Sequence, residues 1–120
     1  MDTPAKAQAS IESETARAAR AVSALRARGV QVLFVRPPSI GPLHAAEERG
    51  LPRTQTWDVL LRRTGAPGIH FEDYPQLQGY ELPEWSHLSA SEADRFTAAL
   101  VPLVEAKFRK PDDLPDASNR

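Results

Sequence analysis

The sequence predicts an α/β fold with a short parallel sheet, and three observations carry that expectation. Val30-Gln31-Val32-Leu33-Phe34-Val35 is apolar and β-branched almost without interruption, as a strand covered on both faces should be. Gly68-Ile69-His70-Phe71 is a second, shorter run of the same kind. Stretches of helical periodicity precede, separate and follow the two. The order helix, strand, helices, strand, helix therefore describes one right-handed βαβ unit with an extra helix at each end.

Residues 4–28 are rich in Ala, Arg and Glu, and Ile11, Thr15, Ala18, Val22 and Leu25 alternate at spacings of four and three, which is one stripe of a helix. Gly29 stands where a left-handed C-terminal cap is wanted. The first strand stops at Arg36-Pro37-Pro38, because two prolines allow neither ladder donation nor helix, and residues 37–42 should leave the strand's carboxyl end as a loop. In open α/β sheets that end is where ligands bind.

Residues 43–49 predict a short helix ended by Gly50 and Pro52, and residues 54–63 a second with Trp57, Leu60 and Leu61 inward and Gly65 beyond its end. Glu72-Asp73-Tyr74-Pro75 is the exit of the second strand, and loop follows to Pro83. Ser89-Ala90-Ser91-Glu92 is a capping box that should start a final helix with Ala93, Phe96, Leu100, Leu103, Val104 and Phe108 inward. Pro102 should kink that helix, and residues 110–120 are polar and proline-bearing, as a disordered tail would be. The expected divisions are thus an N-terminal amphipathic helix over 1–28, an α/β portion over 29–109 and a tail over 110–120.

With 120 residues, 41% of them hydrophobic and 26% charged, the chain has the makeup of one soluble domain. A net charge of -1 supplies no field for nucleic acid or an anionic membrane, and glutamates interleave the arginines of the first helix, so no nucleic-acid partner is expected. The absence of cysteine excludes disulfides and thiolate zinc sites. No run approaches the roughly 20 apolar residues of a membrane span, and the first residues lack the basic-then-apolar order of a signal peptide, so the default compartment is the cytoplasm.

The chemistry concentrates in Pro83-Glu84-Trp85-Ser86-His87-Leu88-Ser89, where a carboxylate lies three residues before a histidine at the threshold of the last helix. An imidazole acts as a general base when its other ring nitrogen is held by an acceptor, so Glu84 would orient and His87 would take the proton. The plain alternative is a loop histidine that fills a turn. Arg36 ends a buried strand at the ligand edge, where it would hold a carboxylate or phosphate, or pair with Glu72 or Asp73. Trp85 is a candidate wall of a substrate pocket. Ser39 lies at the same edge and is the least unsuited of the serines to act as a nucleophile, although no strained Gly-x-Ser-x-Gly turn exposes it. His44-x-x-Glu47, and His70 with Glu72 and Asp73, match no recognised zinc or iron spacing, so neither metal nor cofactor is expected.

The segment from Gly29 to Phe108 resembles the C-terminal part of an SGNH (GDSL-type) hydrolase. The resemblance rests on the strand ending in Val35-Arg36-Pro37-Pro38, on Phe71-Glu72-Asp73-Tyr74-Pro75, and above all on Glu84-Trp85-Ser86-His87-Leu88-Ser89 before the last helix. It implies a partial flavodoxin-like, three-layer unit and a serine esterase or acylhydrolase activity, with His87 as base and Glu84 where the family's D-x-x-H block has aspartate. The family's nucleophile and oxyanion blocks have no counterpart in this sequence, and Gly-Asp-Ser occurs nowhere in it. The implied function is the base-bearing portion of an ester hydrolase, inactive alone, whose missing strands come from a partner chain or a second copy. The competing expectation is a non-catalytic interaction module that pairs through open sheet edges or the first helix.

Overall fold

A computed structural model describes residues 4–109; the expectation of a disordered tail at 110–120 falls outside them. The fold is α/β, mostly helical, around a two-stranded parallel sheet. Helix α1 spans Pro4–Ala27. It ends in a Schellman motif, with Gly29 at φ 80°, its N–H donating to the Arg26 carbonyl at 2.9 Å and the Val30 N–H to Leu25 at 3.0 Å.

The strands are shorter than the apolar runs suggest. β1 is Phe34–Arg36 and β2 is Gly68–His70, paired with Phe34 opposite Gly68 and Arg36 opposite His70. Prolines bound the ladder at both ends. Pro67 accepts from the Phe34 N–H at 3.0 Å but has no N–H to return, and Pro37 ends donation after Arg36. Val30 and Gln31 are consequently outside the sheet and exposed.

The two residue sets of β2 face different helices, as a period of two requires. α2 covers Gly41–Gly50, with Pro42 in its first turn. A 3₁₀ turn at Arg53–Gln55 then leads into α3, Trp57–Thr64, where one helix was expected over 54–63. Gly65 closes α3 at φ 68°, its N–H bonded to the Leu61 carbonyl at 2.9 Å. α3 lies hard against β2 at Gly68, where a Cβ would come within 2.6 Å of Trp57 and 2.8 Å of Leu61. His70, on the same face, meets the Trp57 ring edge-on at 5.4 Å. α1 packs on the outer side of α3, and the Arg26 guanidinium donates to the carbonyls of Thr64 and Gly65, both left open by the end of that helix.

Ile69, between Gly68 and His70, points into the main core with Phe71, Leu77, Tyr80, Leu82 and Phe96. Phe96 belongs to α4, Ala90–Phe108, which adds Ala99, Leu100, Leu103 and Val104 to the same cluster. The Ser89 hydroxyl accepts from the Glu92 N–H at 3.3 Å, half of the expected capping box. The reciprocal half is replaced, because the Glu92 carboxylate takes Arg95 at 2.7 Å. α4 continues through Pro102 to Phe108. Each strand keeps an outer edge with no strand partner among the described residues.

Candidate functional site

Both strands end on one side of the molecule, and their last residues, Arg36 and His70, open onto a cleft of about 490 Å³. α2 supplies His44, Glu47 and Glu48 to its wall, the turn before α3 supplies Arg53, and the 3₁₀ turn Phe71–Asp73 supplies Glu72. This is the carboxyl edge to which the proline loop pointed.

Arg36 does not pair with Glu72 or Asp73. Its guanidinium donates to Glu47 at 2.7 Å and to the Ser39 hydroxyl at 3.3 Å. The reason is competition: Arg53 holds Asp73 through two bonds of 2.7 Å, and Glu72 faces the imidazoles of His44 and His70 at 3.8 and 3.9 Å. The paired guanidinium holds the Asp73 carboxyl below its ordinary range, first through the hydrogen bond and then through its charge. The Arg53 pKa rises in return.

Ser39 is buried, and its hydroxyl lies 3.1 Å from Nδ1 of His44. The other ring nitrogen of His44, Nε2, is 3.0 Å from Glu48, one helical turn further along α2. The His44-x-x-Glu47 spacing therefore does not bring those two residues together; the (i, i+4) partner is Glu48, while Glu47 turns to Arg36. One oxygen of Glu47, Oε1, is buried without a hydrogen-bond partner among the described residues. His70 is buried and stacked on Phe71 with ring centroids 5.1 Å apart. Burial first, and the charge of Arg53 second, push its pKa below the usual value. Its Nδ1 accepts the Glu72 N–H at 3.2 Å, a bond that only the neutral ring can make there.

The Glu84–His87 pair lies in a different environment. The Glu84 and His87 side chains are 83% and 80% exposed, and Nδ1 of His87 is 4.0 Å from the Glu84 carboxylate. The nearer neighbour of that nitrogen is the Ser86 hydroxyl at 2.8 Å. Adjacency in a tight turn lets the Ser86 hydroxyl reach the ring. The segment is nevertheless docked on the exit loop of β1, through the Ile40 N–H and the Trp85 carbonyl at 2.9 Å. Trp85 adopts φ 63°, a left-handed conformation that is a steric outlier for a bulky residue. Its indole lies 3.5 Å from where a Cβ on Gly41 would stand, and it is not among the residues lining the cleft.

No family model matches the chain, and neither a curated protein nor a solved structure is similar to it. Of the residues singled out by sequence, the fold brings Arg36 and Ser39 to the cleft edge and keeps Glu84, Trp85 and His87 on the adjoining loop. His44 with Glu48 and Glu72 is the grouping that sequence spacing left unassigned. The (i, i+4) half of it is a visible signal; Glu72 is not, because only the parallel pairing of β1 with β2 carries it across.

Proposed function

We propose that this chain is the base-bearing portion of a serine ester hydrolase of the SGNH kind, in which His87 takes the nucleophile's proton and Glu84 orients its ring. The main support is the hydrogen bond between Ile40 and Trp85, which holds the Glu84–Leu88 segment beside the carboxyl end of β1 rather than elsewhere on the surface. Nδ1 of His87 faces Glu84 and Ser86, so Nε2 is the nitrogen that can serve an attacking hydroxyl. The exposure of both side chains fits a half-site whose opposite wall is contributed by other strands. The strained backbone of Trp85, between the two residues, fits a segment whose conformation serves function.

In the reaction, a serine hydroxyl outside this sequence would attack the ester carbonyl as His87 accepts its proton. The imidazolium, stabilised by Glu84, would then protonate the departing alcohol, and water would release the acyl group by the reverse relay. The chain alone should neither turn over a chromogenic acetate ester nor be labelled by a fluorophosphonate. Labelling of this chain that His87→Ala abolishes would contradict the absence of an internal nucleophile.

A second reading, a non-catalytic interaction module, is favoured by one observation. A parallel pair of strands of three residues each leaves both outer edges without a strand partner among the described residues. Association that grows with concentration, together with no esterase activity in any reconstituted form, would support it. A strictly monomeric protein at high concentration would count against it.

A further inference from the structure

We propose that His44, Glu48 and Glu72 form a binding site for a divalent transition cation of the zinc type, separate from the Glu84–His87 pair. The three donors come from two elements, α2 and the turn after β2, and their ligand atoms all lie within 4.8 Å of one another. Two carboxylates converge on the same ring nitrogen, Nε2 of His44, at 3.0 and 3.8 Å. A single proton on that nitrogen answers one of them. A dication answers both.

The two separations from Nε2 of His44 fit an inner coordination shell. For an ion about 2.1 Å from each donor, separations of 3.0 and 3.8 Å from the imidazole nitrogen correspond to angles of about 90° and about 130°. Such angles leave open positions, and the cleft lies on that side to admit water or a substrate oxygen. An imidazole combined with carboxylates favours zinc, manganese or iron(II) over magnesium and calcium, which take oxygen alone.

The surroundings orient the ring as a metal ligand's surroundings do. His44 Nδ1–H can donate to the buried Ser39 hydroxyl, 3.1 Å away, and that tautomer turns the Nε2 lone pair toward the carboxylates. Ser39 is itself held by Arg36 at 3.3 Å, and the edge of the His44 ring contacts Phe71 at a centroid distance of 5.7 Å. The local charge points the same way. Arg36 is paired with Glu47 and Arg53 with Asp73, so neither guanidinium is aimed at Glu48 or Glu72, while the Oε1 atom of Glu47 is buried in the same wall without a donor among the described residues. Ser39 thereby acts as a positioning residue toward the cation rather than as the nucleophile its location at the strand edge allows.

The test is calorimetric titration of the chelator-treated full chain with Zn²⁺, with Mg²⁺ as control, and the visible spectrum of the Co²⁺-substituted protein. One Zn²⁺ per chain, thermal stabilisation by Zn²⁺ but not Mg²⁺, and Co²⁺ bands characteristic of a nitrogen and oxygen donor set are expected. Glu48→Gln, at an exposed position that leaves the fold intact, should weaken Zn²⁺ binding by tenfold or more, and Ser39→Ala by about 10–100-fold. His87→Ala should leave the affinity unchanged. Absence of saturable Zn²⁺ binding, or binding indifferent to Glu48→Gln but lost with His87→Ala, would overturn the proposal and leave the ester-hydrolysis reading standing.

Discussion

Gly68→Ala probes the contact on which the layered arrangement of α3 and the sheet depends. The added methyl would lie 2.6 Å from Trp57 Cζ2 and 2.8 Å from both terminal carbons of Leu61, where ordinary carbon contacts need 3.4 Å or more. All three clashing atoms belong to α3, and α3 is clamped from behind by α1 and by the bonds of Arg26 to Thr64 and Gly65. The helix cannot retreat without breaking those contacts, so overpacking should cost about 1–3 kcal/mol. For a domain of this size the melting temperature should fall by about 4 °C per kcal/mol. Thermal unfolding followed by circular dichroism reads the effect directly. Gly50→Ala is the matched control, because a Cβ there meets nothing within 4 Å and φ is not positive. Equal melting temperatures for Gly68→Ala and the wild type would refute the close packing of α3 on β2.

Other substitutions test the remaining supports. His70 has its pKa lowered by burial, so above its unfolded value of 6.5 the ring is neutral in both states; below it the unfolded chain takes up a proton that the folded ring resists, and stability should fall as pH drops from about 6.5 through the folded value. His70→Gln should flatten that part of the stability profile. Asp73, held low by Arg53, contributes above its unfolded value of 3.8 and loses that contribution as pH falls below it, a phase that Asp73→Asn should remove from acid titrations. Ser89→Ala deletes the α4 cap and should cost about 1 kcal/mol in denaturant unfolding. His87→Ala and Glu84→Gln, both at exposed side chains, should change stability by less than about 0.5 kcal/mol, so any loss of activity they cause reports chemistry rather than unfolding.

The amphipathic stripes, the glycine caps and the Ser89 start signal place four helices within a few residues of where they occur, because each depends on local periodicity and local hydrogen bonding. The strand lengths were less legible. Apolar runs show what can be buried, but pairing also needs a partner of matching length, and Pro37 and Pro67 cut the ladder to three positions. At the site, spacing along the chain finds His44 near acidic residues without saying which one it meets. The helical register selects Glu48 and turns Glu47 toward Arg36, and Glu72 arrives from far along the chain through the crossover between the strands. The partner of Arg36 was hidden for the same reason, since choosing among Glu47, Glu72 and Asp73 requires knowing that Arg53 already holds Asp73.

Reconstitution of ester hydrolysis is the most direct measurement of the role proposed for His87. The chain would be mixed or co-expressed with a segment bearing a Gly-Asp-Ser nucleophile turn and its oxyanion donors, and p-nitrophenyl acetate turnover compared for wild type and His87→Ala. A general base of this kind contributes about 10²–10⁴-fold, so turnover should appear with the wild-type chain and fall by that factor in the variant. Turnover that appears equally well without the imidazole would show that proton transfer is handled elsewhere.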